Sequence, residues 1–159
     1  MLPRETLEAA ERVLLPVYLV LLAVWDIRIK KVPAALLAAG GGCGLLLRIL
    51  AIAGGEAVSG ICLAYLPGLG AGALLLTSAA LTRGAVGYGD GICFCTLAFW
   101  LPWGSLFTLL TAALFLCALP GTIIALVRHT RKISLPFLPF TAVAYLLLLA
   151  CGMIGEALP

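Results

Sequence analysis

The sequence predicts an all-α fold: a polytopic transmembrane bundle of about six helices, with both termini outside, forming one membrane-embedded domain over residues 1–159. Two observations lead to this prediction. Hydrophobic residues make up 64% of the chain and charged residues only 11%, whereas soluble domains are about 45–50% apolar and about 25% charged. A soluble core of this size cannot enclose that much apolar surface. The apolar residues also fall in runs long enough to cross a bilayer.

Six apolar segments are predicted to cross the membrane, and they are residues 11–26, 34–53, 59–81, 91–103, 104–127 and 135–155. The fourth segment is short, and Pro102 marks its boundary with the fifth. Pro67 and Pro120 lie inside segments and are expected to bend them. Small residues are concentrated in 38–42 and 68–72, where they would let helices approach closely in lipid.

The distribution of charge predicts the orientation of the bundle. Basic residues fall mainly in the loops after the first, third and fifth segments, while every glutamate falls on the opposite side. By the positive-inside rule the basic loops are cytoplasmic. Arg48 lies near the outer end of the second segment, and its long side chain is expected to reach the interface. A net charge of +3, scattered along the chain, does not indicate nucleic-acid binding.

Other reactive side chains carry little functional signal. The six cysteines lie in apolar runs without any C-x-x-C pair, so they are interpreted as small hydrophobic fillers. No cluster has metal-ligand spacing, and neither a metal nor another cofactor is predicted. The single histidine, His129, lies in a basic loop and is interpreted as a solvated residue.

Two acidic residues remain at the cytoplasmic boundary. Asp26 closes the first segment and Asp90 opens the fourth, within a Gly-Tyr-Gly-Asp-Gly sequence. Ionisable groups at the edge of a span are costly and are candidates for function. Simpler roles remain open, because Asp26 could pair with Arg28 or Lys30 and Asp90 could cap its helix.

Together the two acids favour one chemistry. Two carboxylates brought close share a proton, so one can activate a water while the other protonates a carbonyl or leaving amine. From the dipoles of their own helices, we expect Asp26 to hold the shared proton and Asp90 to ionise first. The glycines beside Asp90 would let an extended substrate backbone approach it.

Three segments in this order resemble the type IV prepilin peptidase family of G-x-G-D intramembrane aspartic peptidases. They are Asp26 with the following basic stretch and Val32-Pro33, the G-x-G-D sequence ending at Asp90, and the Pro-Phe-x-Pro-Phe sequence of residues 136–140. The resemblance implies an endopeptidase that removes the short basic leader of prepilins or pilin-like precursors at the cytoplasmic face of the inner or plasma membrane. Its implied catalytic residues are Asp26 and Asp90, and its implied substrate-binding residues are Gly87, Tyr88, Gly89, Gly91, Pro136, Phe137, Pro139 and Phe140.

The chain also departs from part of the family. The larger bifunctional members carry an extra cytoplasmic region with two C-x-x-C pairs that bind zinc, and that region accompanies methyltransferase activity. This chain has neither feature, so it resembles the compact peptidases of tight-adherence pilus systems, without methyltransferase activity. A lysine often follows the second aspartate by two residues in the family, whereas Ile92 stands here. The competing interpretation is a non-enzymatic membrane subunit or transporter component whose aspartates bind a cation or a partner.

Overall fold

The computed structural model describes residues 4–29, 32–81, 87–128 and 137–154, with the side chains of residue 4 and of 124–128 excepted. All regular structure in these ranges is α-helical, which confirms the predicted fold class. The six helices are α1 (Arg4–Ile29), α2 (Ala34–Ala53), α3 (Val58–Leu81), α4 (Tyr88–Leu97), α5 (Trp103–Arg128) and α6 (Leu138–Ala150).

Proline and glycine account for several helix boundaries. Pro33 is the extended N-cap of α2, as expected of a residue that cannot continue a preceding helix. The turn between α2 and α3 contains Gly55 at φ 107°, a backbone conformation that side chains with a Cβ rarely adopt. Pro102 precedes α5 and separates it from α4, as the sequence predicts.

The helices form a membrane protein. Within the described ranges, three helical stretches are long and apolar enough to cross a bilayer: Ala34–Ala53, Val58–Leu81 and Trp103–Ile123. Their outward faces carry large apolar side chains, with Leu63 78%, Leu81 85% and Phe115 71% exposed. Water would make such surfaces very unfavourable, whereas lipid does not.

The fourth helix is shorter than the segment predicted for it. The sequence indicates a span over 91–103, but α4 ends at Leu97 and a turn leads to Pro102. Ten residues of helix extend over roughly 15 Å, about half of the hydrocarbon core. Helix α4 packs against α3 and α2, and Cys93, Phe94 and Leu97 are almost completely buried. It is therefore enclosed by protein, which is the condition under which irregular backbone is tolerated at membrane depth.

Glycines allow the helices around α4 to approach closely, as the small-residue runs predict. A Cβ on Gly44 would lie 2.8 Å from Nε1 of Trp100 in the turn after α4. A Cβ on Gly72 would collide with Cys95 of α4. Gly42, in contrast, has nothing within 4 Å of its Cβ position. The close approach thus depends on Gly72 of the second run and on Gly44, two positions after the first run, and not on every glycine of a run.

Arg48 is not at the lipid interface, so the expectation that it extends there is wrong. Arg48 is only 6% exposed, and its side chain forms an ion pair with Glu11 of α1. It also donates a hydrogen bond of 2.6 Å to the Tyr65 hydroxyl of α3, and its guanidinium lies 4.6 Å from the centroid of that ring. Because α1 and α3 supply both a countercharge and an acceptor, Arg48 is stabilised inside the bundle.

All six cysteines are free thiols. Cys93 is buried, whereas Cys62 and Cys151 are exposed. These placements agree with their interpretation as small hydrophobic residues of the helices rather than as disulfide partners.

Candidate active site

Asp26 lies in the last turn of α1, half-buried. Its Oδ2 atom accepts a hydrogen bond of 3.3 Å from the backbone N–H of Leu138, the first residue of α6. Arg28 is exposed to the surroundings, and Lys30, the other basic residue considered as a partner, lies outside the described residues. Asp26 is thus held by the start of α6.

Asp90 lies in the first turn of α4, half-buried, but it does not occupy the N-cap position. The N-cap is Gly87, which forms no side-chain capping bond. A Cβ added to Gly87 would lie 2.8 Å from Oδ2 of Asp90. The missing side chain at Gly87 therefore leaves the space into which the Asp90 carboxyl group turns.

The two carboxyl groups lie at the same end of the bundle and interact. The charge of Asp26 acts on Asp90, and the charges of both act on Cys93, which is one helical turn after Asp90 and completely buried. The first and fourth helices therefore bring together the two acids that are 64 positions apart in the sequence. Among the residues that the structure describes, no group of three or more His, Cys, Asp or Glu side chains is arranged to hold a metal.

The start of α6 contacts the helices of both acids. The ring of Phe137 packs against Phe94 of α4, with centroids 6.0 Å apart and planes tilted by 43°. The next residue, Leu138, binds Asp26 through its N–H. Phe94 is four positions after Asp90 and so lies on the same face of α4. Residues 137 and 138 consequently link α4 to α1 beside the acid pair.

The remaining predicted substrate-binding residues have different surroundings. Tyr88 is 51% exposed, and Gly89 has nothing within 4 Å of its Cβ position. Gly91 is instead buried against α3, where an added Cβ would lie 2.8 Å from Cδ2 of Leu76. Pro139 and Phe140 are half-buried in the first turn of α6, and Pro136 lies outside the described residues.

Two residues at the site were not expected from the sequence, Leu138 and Phe94. Phe94 follows Asp90 by four positions, and this spacing places both residues on the same face of a helix. Leu138 acts through its backbone, and the signal there is the position of a free N–H at the start of a helix. Neither signal alone identifies the partner, because both contacts join segments far apart in the sequence.

The start of α6 adds a second helix dipole beside Asp26, and this affects which acid is expected to hold the shared proton. The expectation that Asp26 holds it rests on the negative end of α1 alone. Asp26 also lies at the N-terminal end of α6 and accepts the Leu138 N–H, and that end of a helix favours negative charge. The positive end of α6 therefore opposes the negative end of α1 at Asp26, so helix dipoles distinguish Asp26 from Asp90 less strongly than the sequence alone indicates.

The fold and the site define a helical membrane protein with a pair of acids held at one end of its bundle. Residues 13–122 match the type IV leader peptidase family. The match covers more than half of the chain and includes both acids, and the chain belongs to this family. The family resemblance inferred from the sequence is thereby confirmed. Comparisons with curated proteins and with solved structures gave no match.

Proposed function

We propose that this protein is an aspartic endopeptidase that removes the short basic leader from prepilins or pilin-like precursors at the cytoplasmic face of the inner or plasma membrane. The observation that carries the proposal is the convergence of Asp26 and Asp90 at one end of the bundle, within electrostatic reach of each other. Membership of a leader peptidase family supports hydrolysis of a leader peptide. Two interacting carboxyl groups supply both the base and the acid that peptide hydrolysis needs.

The chemistry proceeds through addition of water to the scissile carbonyl. The ionised member of the acid pair takes a proton from water while the oxygen bonds to the carbonyl carbon, and the protonated member donates to the carbonyl oxygen. The resulting tetrahedral intermediate breaks its C–N bond as one acid of the pair gives a proton to the leaving amine and the other takes a proton from a hydroxyl of the intermediate, which restores the pair with its single shared proton. Water is the only co-reactant, so atoms and charge balance without a cofactor.

The surroundings of the acids suit an extended chain entering from the lipid. Tyr88 is exposed next to Asp90, and Gly89 leaves open space in the same turn. A substrate backbone could lie along these residues, with its apolar helix in lipid and its leader in water. In this proposal Tyr88, Gly89, Pro139 and Phe140 contact the substrate, and Phe137 holds the start of α6 in place. Gly87 makes room for the Asp90 carboxyl, and Gly91 serves the packing of α4 on α3.

The proposal places the acid pair on the cytoplasmic side, because the basic loops share that side with Asp26 and Asp90. It covers leader removal alone. The described residues hold no cysteine cluster of the kind that accompanies methyltransferase activity in the larger members, and we do not propose that activity for this chain. The compact layout is the one that resembles peptidases of tight-adherence pilus systems.

The decisive experiment is cleavage of a co-expressed prepilin, followed as a gel shift, by the wild type and by Asp26→Asn and Asp90→Asn. Asparagine keeps the size of the side chain but cannot hold or transfer the proton. We expect each substitution to reduce cleavage by roughly 100-fold or more while the variants accumulate normally. Glu5→Gln is the matched control, since Glu5 is an exposed acid at the other end of α1, and it should cleave as the wild type does.

Two outcomes would contradict the proposal. If either aspartate variant cuts as well as the wild type, that aspartate is structural and the paired-acid mechanism fails. If the wild type itself fails to cut several pilin precursors, a membrane subunit or transporter component that binds a cation or partner through its aspartates becomes the better interpretation.

A further inference from the structure

A group of buried side chains lies inside the bundle, beneath the acid pair. We call it the Tyr18 junction, and it consists of Tyr18 of α1, Gly40 of α2, Thr96 of α4 and Trp100 in the turn after α4. The Tyr18 hydroxyl lies 3.4 Å from Oγ1 of Thr96. The ring of Tyr18 stacks on that of Trp100, with centroids 6.1 Å apart and an interplanar angle of 15°. The junction therefore joins α1 to α4 directly.

Helix α2 contacts both rings through a single residue, Gly40. The indole Nε1–H of Trp100 donates a hydrogen bond of 2.9 Å to the carbonyl oxygen of Gly40. A Cβ on Gly40 would overlap the ring of Tyr18. Tyr18 can therefore occupy its position only because residue 40 has no side chain, and Trp100 is fixed by the same residue's backbone.

The junction shares α1 with Asp26 and α4 with Asp90, so its distance from each acid is set by the rise of that helix. Tyr18, Leu22 and Asp26 follow at intervals of four and lie on one face of α1, and Leu22 is completely buried. Thr96 follows Asp90 by six positions on α4. At 1.5 Å per residue the junction lies roughly 12 Å from Asp26 along α1 and roughly 9 Å from Asp90 along α4. The helices run in opposite directions, so both distances lead from the acid pair towards the same level of the bundle.

Few other contacts connect the two helices directly. Helix α1 packs chiefly against α6 and α2, while α4 packs against α3 and α2. The position of one acid relative to the other would otherwise depend on intermediate helices and on the start of α6. A stacked, hydrogen-bonded tyrosine between α1 and α4 limits the movement of one helix relative to the other.

We propose that the Tyr18 junction is a positioning element that fixes the register of α1 against α4 and thereby the separation of Asp26 and Asp90. Its catalytic consequence rests on the proposed function of the acid pair. Its residues contact neither substrate nor reacting atoms. A displacement of about 1 Å between reacting groups can reduce a rate by roughly 100-fold, so a junction beneath the site can control catalysis through geometry alone.

Two glycines of α2, Gly40 and Gly42, provide a matched test. Gly40→Ala forces the ring of Tyr18 to move, whereas Gly42→Ala adds the same methyl group where nothing lies within 4 Å. Ile29 and Tyr88 are exposed and lie near the acids. Each can be replaced by a noncanonical amino acid that carries a ketone, to which a nitroxide label is attached. Pulsed electron–electron double resonance between the two labels would then report the separation of α1 and α4. These labels leave the native cysteines and both aspartates unchanged.

We expect Gly40→Ala to shift or broaden the distance distribution by several ångströms. In the unlabelled protein it should lower kcat by roughly 10- to 100-fold with little change in KM. Gly42→Ala should match the wild type in both measurements. If Gly40→Ala folds and shows wild-type distances and kcat, the junction does not position the acids and the proposal is wrong.

Milder variants keep the proposal testable if Gly40→Ala does not fold. Tyr18→Phe and Thr96→Val each remove the hydroxyl contact with almost no change in volume, and we expect a broader distance distribution and a several-fold lower kcat at constant KM. Wild-type values for both variants would contradict the proposal. The distance measurement needs no activity, so an inactive wild type with a shifted Gly40→Ala distribution would reject the proposed function while keeping the structural role of the junction.

Discussion

The backbone N–H of Leu138 binds Oδ2 of Asp26 at 3.3 Å, although the two residues are 112 positions apart. Side-chain substitution at Leu138 leaves this donor in place, so the contact depends on where α6 begins. Phe137 sets that point, because its ring rests on Phe94 of α4. The last helix therefore completes a site whose acids come from the first and fourth helices.

The contact between Phe137 and Phe94 leads to the first prediction. Phe137→Ala removes the ring that holds the start of α6 against α4, and we expect kcat/KM for prepilin cleavage to fall roughly tenfold, in line with an aromatic contact of about 0.5–1.5 kcal/mol. Purified variants in detergent and a fluorescent leader peptide would give this ratio. Phe115→Ala is the control, since Phe115 is 71% exposed on α5. Equal losses in the two variants would show that the effect is general and that Phe137 has no special role.

Gly89 and Gly91 flank Asp90 and are predicted to differ in function. Gly91→Ala places a Cβ 2.8 Å from Cδ2 of Leu76 on α3, so the helices must separate at a cost of about 1–3 kcal/mol. The better helix propensity of alanine, up to about 1 kcal/mol, offsets only part of this. We expect Gly91→Ala to lower the unfolding midpoint in mixed micelles of mild detergent and dodecyl sulfate.

Gly89→Ala should leave that midpoint unchanged or slightly higher, because nothing lies within 4 Å of the new Cβ. Its methyl group would occupy the open space that we assign to the substrate, and KM should rise several-fold. If Gly89→Ala retains a wild-type KM, the substrate does not pass over this turn. A stable Gly91→Ala would contradict the close packing of α3 on α4.

The ion pair between Arg48 and Glu11 predicts a loss of stability without a loss of catalytic chemistry. Arg48→Met leaves Glu11 without its countercharge in a nearly buried position, and breaking such a pair costs about 3–5 kcal/mol. Tyr65→Phe removes one hydrogen bond to a charged group and should cost about 1.5–3 kcal/mol. The same micelle titration measures both, with Glu5→Gln as the exposed control.

The residues of this cluster lie at the end of the bundle opposite the acids, since Arg48 is near the C-terminal end of α2 and Asp26 is near the C-terminal end of α1. Activity per folded molecule should therefore stay at the wild-type level in Arg48→Met. A large fall in kcat with unchanged stability would mean that the cluster acts on the end of the bundle that holds the acid pair, which the structure gives no reason to expect.

The contrast between Arg48 and the aspartates shows how far the sequence predicts this molecule. Apolar runs predict all six helices, because each run reflects one helix and its immediate surroundings. The acids stand out because so few charges occur in a sequence of this kind. The burial of Arg48 depends on Glu11 and Tyr65, which belong to two other helices, and no local pattern indicates that these three side chains meet.

Local sequence patterns also fail to indicate where α4 ends and what the start of α6 contacts. The early end of α4 at Leu97 is tolerated at membrane depth because the helix packs against α2 and α3, and the sequence of α4 alone does not indicate those neighbours. The contact of Leu138 with Asp26 and the packing of Tyr18 against Gly40 both join segments that are distant in the sequence. The glycine runs indicate that helices approach closely there, but the three-dimensional packing determines which glycine receives which side chain.

The orientation of the bundle in the membrane determines whether the leader of the proposed substrate can reach the acids. The last turns of α1, α3 and α5 and the loops after them carry most of the basic residues, so the positive-inside rule places this end of the bundle in the cytoplasm. We expect alkaline phosphatase to be active when fused after Glu56, in the turn between α2 and α3, and inactive when fused after Arg83. Green fluorescent protein at the same two points should give the opposite pattern, because it does not fluoresce after export in an unfolded state.

The reversed pattern would separate two parts of the proposal. It would place Asp26 and Asp90 on the outer side of the membrane, away from a basic leader that remains in the cytoplasm, and leader removal at the cytoplasmic face would then be wrong. The acid pair itself would be unaffected, since it follows from the arrangement of α1, α4 and α6. The expected pattern would instead leave the acids at the surface where a leader joins its membrane helix, which is the place that the proposed cleavage requires.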